Sequence, residues 1–275
     1  MNLLYLLPVL FASHGAAQPK LQIAQTAFQQ FDGGPALRGA VEFQTTETLF
    51  FTAKISGYTK TPKEAISLEW MIETFDDENV SLAPPEKKPI DVELAEEDKD
   101  WQPLIRYQVE LPQTATCNKC RLKLTARDKL ANTQVEADLP FAIRGLKVQP
   151  AESVTIQNFR FTRSENDAAA LLVPAYRPGD ELWGRFEIAG FVYGEKNRVQ
   201  VEYGLAVYRP SGKLLYQEPK AATADETSFY PRKYLPGVLN LRLDKLPPGE
   251  YPIVIEVRDL GSGKKYEHRV AFRVE

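Results

Sequence analysis

The sequence predicts an all-β protein built from two tandem antiparallel β-sandwiches. Three observations lead to this prediction: an internal repeat, apolar residues that alternate with polar ones, and proline- or glycine-containing turns at short intervals. The chain has 275 residues, of which 43% are hydrophobic, 20 are proline and 16 are glycine. That length and composition suit two soluble domains of ordinary size.

The repeat covers most of the chain. Residues 35–82 align with residues 168–215 at an offset of 133, and residues 117–143 align with residues 248–274 at an offset of 131. Identity between the copies is low, but apolar positions and turn positions coincide, as a shared sandwich core requires. Representative pairs are Leu49 and Leu182, Ile55 and Ile188, Trp70 and Tyr203, Arg127-Asp128 and Arg258-Asp259, and Phe141 and Phe272.

The strands follow from alternation with a period of two. Every second residue is apolar in 199–207 and again in 251–257, which indicates strands with one face on a core and the other in solvent. Turn sequences such as Pro178-Gly179-Asp180 separate them. No window favours a long amphipathic helix. The strands expected in the second copy are 154–162, 168–174, 181–191, 198–208, 214–217, 238–243, 250–258 and 265–274.

Each copy resembles a bacterial immunoglobulin-like or fibronectin-III-like domain. The resemblance is carried by Tyr176-x-Pro178-Gly179-Asp180, by the hairpin 207–213, and by residues 246–251 leading into 255–259. It implies a β-sandwich of the immunoglobulin type, a fold that hosts many unrelated functions. The Cys–Trp–Cys core of antibody domains is absent from the sequence. The paired pattern also resembles exported proteins of environmental bacteria.

The predicted domain plan begins with a signal peptide at residues 1–17. This segment contains no charged side chain, has an apolar run from Leu3 to Ala12, and offers small residues before a cleavage after Ala17. It lacks the basic residue that signal peptides usually carry near the start. Sandwich domains are expected at 18–147 and 148–275. We therefore expect a secreted or periplasmic protein that is not embedded in the membrane.

Charge gives no sign of nucleic-acid binding. The formal net charge is −3, with −4 for residues 18–147 and +1 for residues 148–275. Neither half has the basic excess that nucleic-acid binding usually requires.

The Cys117-Asn118-Lys119-Cys120 motif is the sharpest local feature. A zinc site would need two more ligands, a thioredoxin-like site would need a strand-to-helix context, and haem attachment would need a histidine where Arg121 stands. The repeat places the motif in a hairpin turn that leads into a strand. In an oxidising compartment we favour a disulfide between Cys117 and Cys120 that staples this turn, with free or metal-binding thiols as alternatives.

Two long connections are the places where function is expected, because loops on a rigid scaffold often carry it. Residues 84–100 contain an acidic run at 91–100, which we interpret as solvated charge rather than a Ca²⁺ site. The matching residues 219–236 contain a candidate ligand or partner loop, whose rings could alternatively close the end of the sandwich. The candidates are Phe229, Tyr230, Arg232, Lys233 and Tyr234.

Catalysis finds little support in the sequence. After the predicted cleavage His268 is the one remaining histidine, and no nucleophile turn or phosphate-binding glycine loop accompanies it. We therefore expect no catalytic residues, no metal and no cofactor. The function predicted is a non-catalytic binding or scaffold protein, with a protein partner bound through loops and sheet edges. The alternatives are a pair of carbohydrate-binding modules and, less favoured, a secreted hydrolase with paired carboxylates.

Overall fold

The computed structural model describes residues 20–167 and 169–275, so the predicted signal peptide lies outside the described residues. The described chain is 56% strand and contains no α-helix, which confirms the prediction of an all-β sandwich fold. The strands of the first half are β1 Gln22–Gln29, β2 Glu42–Gln44, β3 Thr48–Ser56, β4 Ala65–Phe75, β5 Glu86–Glu93, β6 Leu104–Glu110, β7 Cys117–Asp128 and β8 Thr133–Arg144. Those of the second half are β9 Thr155–Thr162, β10 Ala175–Tyr176, β11 Glu181–Ala189, β12 Val199–Tyr208, β13 Leu214–Glu226, β14 Leu235–Arg242, β15 Gly249–Asp259 and β16 Lys265–Val274.

Each half forms two sheets that face each other. In the first sandwich the sheet orders are β1-β3-β6 and β2-β8-β7-β4-β5, and in the second they are β9-β11-β14 and β10-β16-β15-β12-β13. Neighbouring strands are antiparallel except for the short pairs β2–β8 and β10–β16, which are parallel. The inward residues of each pair of sheets form a separate hydrophobic core.

The duplication is visible in the strand registers. Leu124 of β7 lies opposite Ile72 of β4, and Ile255 of β15 lies opposite Leu205 of β12. These partners differ by the same offsets of 131 and 133 residues that align the two copies of the sequence. The bulge in β1 between Ala24 and Ala27 also has its equivalent in β9.

Left-handed backbone recurs at equivalent positions in the two copies. Gly57 and Gly190 have φ angles of 68° and 75°, and a Cβ atom would lie 2.1 Å from the carbonyl oxygen of Lys20 and 2.2 Å from that of Ser153. Glycine is therefore required at both sites. Other matched left-handed pairs are Gln25 and Asn158, Thr46 and Gly179, Glu64 and Asn197, Asn79 and Gly212, and Asn132 and Gly263.

A buried aspartate holds the same turn in each sandwich. The Oδ2 atom of Asp128 accepts a hydrogen bond from the backbone N–H of Thr59 at 2.7 Å, and Asp259 accepts one from Val192 at 3.1 Å. Both aspartates also accept hydrogen bonds within the hairpin that follows them. These bonds compensate for the burial of each carboxylate.

Three sequence-based expectations differ from the structure. Residues 169–174 form no strand, and the two-residue β10 follows them instead. The connections expected at 84–100 and 219–236 contain edge strand β5 and most of edge strand β13. Neither β5 nor β13 contains a fully buried residue, so these two strands lack the apolar alternation by which the other strands were recognised. Within the described residues no helix is long and apolar enough to span a membrane.

Candidate interaction sites at the sandwich ends

The loop at residues 227–234, which joins β13 to β14, docks on the first sandwich. We call it the docking loop. Tyr230 is only 4% exposed and packs within the hydrophobic core of the first sandwich. Its hydroxyl donates a hydrogen bond to Asp76 Oδ2 at a distance of 2.8 Å. A residue of the second copy therefore completes the core of the first.

Asp76 is held in place by the turn that it begins. This buried carboxylate uses its other oxygen, Oδ1, to accept backbone hydrogen bonds from Glu78 at 2.9 Å and Val80 at 2.8 Å. Burial and the neighbouring Asp76 carboxylate raise the pKa of the Tyr230 phenol. The phenol therefore stays protonated and remains a donor at neutral pH.

Further contacts fix the docking loop on both sides. Arg232 donates to the side-chain oxygen of Gln113 at 3.0 Å, and the backbone N–H of Lys233 donates to Thr114 Oγ1 at 3.1 Å. Within the second sandwich, the backbone carbonyl of Arg232 accepts a hydrogen bond from the Tyr193 hydroxyl at 2.7 Å. The surface of the first sandwich that receives the loop, called the acceptor surface, comprises the turn Asp76–Val80, Leu82 and Pro112–Thr114.

The candidate residues of the docking loop thus fall into three groups: buried rings, residues that contact the first sandwich, and one exposed ring. Tyr230 and Tyr234 are buried, and Arg232 and Lys233 contact the first sandwich. Phe229 is 52% exposed and borders two surface clefts of about 230 and 390 Å³. The sequence identified the loop but could not rank its rings, because burial here depends on the neighbouring sandwich. Its role as a binding site for an outside partner stays a prediction.

The opposite end of the second sandwich carries an open groove of about 370 Å³, called the terminal groove. Its floor consists of buried apolar side chains, and its walls come from β13, β14 and the loop after β14. The lining residues are Val207, Leu215, Tyr216, Asn240, Leu241, Arg242, Leu243, Leu246 and Phe272.

The terminal groove occupies the position that the acceptor surface occupies in the first sandwich. Ser81 pairs with Phe75 and Leu214 pairs with Tyr208, so Leu215 is the equivalent of Leu82. The registers of β6 on β3 and β14 on β11 make Leu246 the equivalent of Thr114. The turn Arg209–Lys213 likewise repeats the backbone hydrogen bonds of the turn Asp76–Val80. The acceptor surface is covered by the docking loop, whereas no described residue fills the terminal groove.

The first residues of edge strand β13, beside the terminal groove, expose large apolar side chains. Leu214 and Tyr216 of β13 are 46% and 45% exposed. Their equivalents in the first sandwich at the offset of 133 residues, Ser81 and Ala83, are smaller and less exposed. Edge strand β13 therefore presents both free backbone groups and exposed apolar side chains at the groove.

The two cysteines are joined by a disulfide. Cys117 and Cys120 have their Cα atoms 5.7 Å apart, within the range that a disulfide can span. They lie in the first residues of β7, opposite Ile143 and Phe141 of β8 and across a register shift. The expected hairpin turn is therefore wrong in detail: the disulfide spans a β-bulge at the start of the strand.

The acidic run is divided between two elements, β5 and a short 3₁₀ helix. Residues 91–93 belong to β5, residues 96–98 form a short 3₁₀ helix, and Trp101 follows with 40% exposure. The connection at residues 94–103, which joins β5 to β6, is called the acidic loop. Within residues 20–167 and 169–275, no group of three or more histidine, cysteine, aspartate or glutamate side chains is placed to hold a metal ion.

His268 lies in β16 with its ring 5.3 Å from that of Phe159. Burial lowers the pKa of His268. The imidazole is therefore neutral at pH 7 and packs as an aromatic ring.

Comparisons with known proteins identify no family for the chain. No protein-family profile matches the sequence, and no curated protein is significantly similar to it. The solved structure of dimeric latent PorU from Porphyromonas gingivalis is 15% identical, with a TM-score of 0.31, over 94% of this chain and 24% of the PorU chain. A mutant of Salmonella alpha-2-macroglobulin is 11% identical, with a TM-score of 0.30, over 94% of this chain and 16% of the macroglobulin chain. A structure described as BspA_C_WT is 9% identical, with a TM-score of 0.34, over 90% of this chain and 99% of that one.

These similarities are too weak to indicate a function. The chain spans about a quarter of the PorU chain that it matches.

Proposed function

We propose that the protein is an exported, non-catalytic binding or scaffold protein that holds a protein partner at the terminal groove. The observation that carries this proposal is the equivalence of two surfaces. In the first sandwich the acceptor surface receives a protein loop whose tyrosine is 4% exposed. The second sandwich offers the equivalent surface, the terminal groove, without a loop from the described chain in it.

The chemistry of the groove favours a polypeptide over a polysaccharide. Its floor is apolar, and Val207, Leu243 and Phe272 are buried there. The adjacent edge strand β13 offers unpaired backbone donors and acceptors, to which an extended segment could add. Two of the three rings on which the carbohydrate-binding alternative rested, Tyr230 and Tyr234, are buried.

Location outside the cytoplasm and the immunoglobulin-like assignment belong to the same proposal. The apolar run of residues 1–17 and the Cys117–Cys120 disulfide support a secreted or periplasmic protein. Within each sandwich, strands four, seven and eight are sheet neighbours, as are strands three and six, which supports an immunoglobulin-like order.

Site-specific photo-crosslinking tests the proposal. The full chain is produced with a photoreactive amino acid at position 216 and exposed to envelope extract of the source organism. A matched protein carries the same group at the position of Phe31, an exposed residue of the first sandwich. We expect a defined protein adduct at position 216 that is absent at position 31 and is lost in Leu246→Asp.

Two results would contradict this expectation. Identical adducts at the two positions would show non-specific contact, and the absence of any adduct at position 216 would remove the groove as a partner site. Circular dichroism of Leu246→Asp establishes that loss of the adduct does not reflect unfolding.

A further inference from the structure

We propose that the occupant of the terminal groove is the acidic loop of a second copy of this chain, so that copies associate head to tail. This inference rests on the proposed function and names the partner of the same groove. It starts from an interface of the same kind that already exists within the molecule, where the docking loop of one sandwich enters the acceptor surface of the other.

The acidic loop is the first sandwich's equivalent of the docking loop. It joins β5 to β6 as the docking loop joins β13 to β14. Each is tied to the neighbouring connection by the same kind of bond: Lys60 Nζ donates to the Lys99 carbonyl at 2.5 Å, and the Tyr193 hydroxyl donates to the Arg232 carbonyl at 2.7 Å. Lys60 and Tyr193 are equivalent at the offset of 133 residues. The acidic loop therefore extends from the end of the first sandwich that faces away from the second.

An aromatic side chain is available for the groove. Trp101 of the acidic loop is 40% exposed, and the Tyr58 hydroxyl donates to its carbonyl oxygen. This contact fixes the backbone at Trp101 while leaving the indole accessible. A tryptophan held in this way loses little conformational freedom when it is buried, which is the property of residues that dominate protein interfaces.

The charges of the two surfaces are complementary. The acidic loop, residues 94–103, contains four carboxylates and one lysine, a net charge of −3. The rim of the terminal groove consists of the turn Arg209–Lys213, Arg242 and the loop 244–250. It contains four basic and two acidic residues, a net charge of +2.

The acceptor surface differs from the terminal groove at the residue that starts the turn. There the residue that starts the turn is Asp76, which accepts from the Tyr230 hydroxyl. The equivalent residue at the terminal groove is Arg209, which suits a carboxylate. The substitution of aspartate by arginine on the receiving side thus accompanies the appearance of carboxylates on the entering loop.

A contact of this kind joins different surfaces of the two copies. Such a heterologous interface does not close after two subunits and propagates unless the rotation makes a ring. Every added copy would seat a loop of one sandwich in the end of another, as the docking loop already does within one chain.

Sedimentation velocity of the full chain tests the inference. We expect the weight-average sedimentation coefficient to rise with protein concentration and to fall as salt is added, because salt screens the charged rim. We expect Trp101→Ala and Leu246→Asp each to weaken self-association by more than about tenfold, as loss of an interface hot spot does. The control Phe229→Ala changes an exposed ring that lies outside both the acidic loop and the terminal groove. This variant should self-associate like the unaltered chain.

A mixing experiment makes the test specific. Trp101→Ala retains an intact groove and Leu246→Asp retains an intact acidic loop, so an equimolar mixture has one competent interface. We expect the mixture to form a one-to-one dimer that neither variant forms alone. Absence of that dimer, or an unaltered chain that stays monomeric at all concentrations, would overturn head-to-tail association. A monomeric chain that still gives a specific crosslink at position 216 to a different protein would refute this inference and leave the proposed function standing.

Discussion

At the scale of single residues, the hydrogen bond between Tyr230 and Asp76 links the two copies through a neutral phenol and a buried carboxylate. Asp76 already accepts two backbone hydrogen bonds through Oδ1, so Tyr230 supplies the side-chain donor for Oδ2. A buried carboxylate oxygen without a donor is costly. The contact is therefore sensitive to the loss of one hydroxyl group.

We predict that Tyr230→Phe lowers the free energy of unfolding of the first sandwich by about 1–3 kcal/mol, because the ring remains while Asp76 Oδ2 loses its donor. Urea unfolding followed by the fluorescence of Trp70, which is buried in that sandwich, measures the change when Trp101 and Trp183 are replaced by phenylalanine in all the proteins compared. Phe229→Ala is the matched control and should change the free energy by less than about 0.5 kcal/mol. A change of less than about 0.5 kcal/mol in Tyr230→Phe as well would show that the hydrogen bond contributes nothing to stability.

We also predict that stability falls as the pH rises above about 10. Burial raises the pKa of Tyr107 and Tyr176 to about 12 from an ordinary value of 10.0, and the pKa of Tyr230 is raised as well. The folded state holds these phenolic protons more tightly than the unfolded state does. The contribution of these tyrosines to the free energy of unfolding is therefore complete below pH 10. It is lost as the pH rises toward their pKa values in the folded state.

Urea midpoints measured between pH 8 and about 12 provide this test. In Tyr230→Phe the decline should be shallower, because one raised phenol is missing. A midpoint that does not change over this range would contradict the assignment of these tyrosines as buried neutral groups.

At the scale of elements, alternation predicted the strands that have one buried face. The expected strand 265–274 agrees with β16, and 198–208 agrees with β12 within one residue. The edge strand β13 was expected to end at 217 but continues to Glu226. The strand continues past a register shift near Pro219, because a proline at a sheet edge need not donate to a neighbour.

The Cys117–Cys120 disulfide constrains the first residues of strand β7. We predict that the chain isolated without reductant resists alkylation at both cysteines and gains two labels after reduction. Intact-protein mass spectrometry measures this directly.

Because the closed loop is short, replacing both cysteines by serine should cost at most about 2 kcal/mol in unfolding free energy. Labelling of both thiols before reduction would contradict the disulfide.

At the scale of the whole molecule, Tyr230 makes the core of one sandwich depend on the other. Truncating this side chain removes a ring that is 4% exposed together with the hydrogen bond to Asp76. We predict that Tyr230→Ala separates the unfolding of the two sandwiches into two transitions and increases the maximum dimension in small-angle X-ray scattering.

Calorimetry and scattering of Tyr230→Ala and Phe229→Ala, side by side, provide the measurement. Phe229→Ala should retain the scattering profile of the unaltered chain. An unchanged profile in Tyr230→Ala would show that the remaining contacts, such as Arg232 with Gln113, are sufficient to hold the junction.

The contact between the docking loop and the acceptor surface could not be predicted from the sequence. The repeat placed core residues such as Ile72 and Leu205 correctly, because alternation reports burial within one sheet. It could not show that Asp76, within the acidic stretch Asp76-Asp77-Glu78, is buried, since its partner Tyr230 lies 154 residues away. The alignment of Leu82 with Leu215 did contain the relation between the acceptor surface and the terminal groove. The groove itself forms only where four strands and a loop meet in space, which the alignment does not show.

The matched left-handed residues have a consequence for ancestry. Glutamine and asparagine at positions 25 and 158, and threonine and glycine at positions 46 and 179, share a backbone conformation although their side chains differ. The two copies therefore share the positions of their left-handed residues although the residues at those positions differ. Distant relatives of this protein should be easier to recognise by the spacing of such left-handed residues between strands than by any conserved side chain.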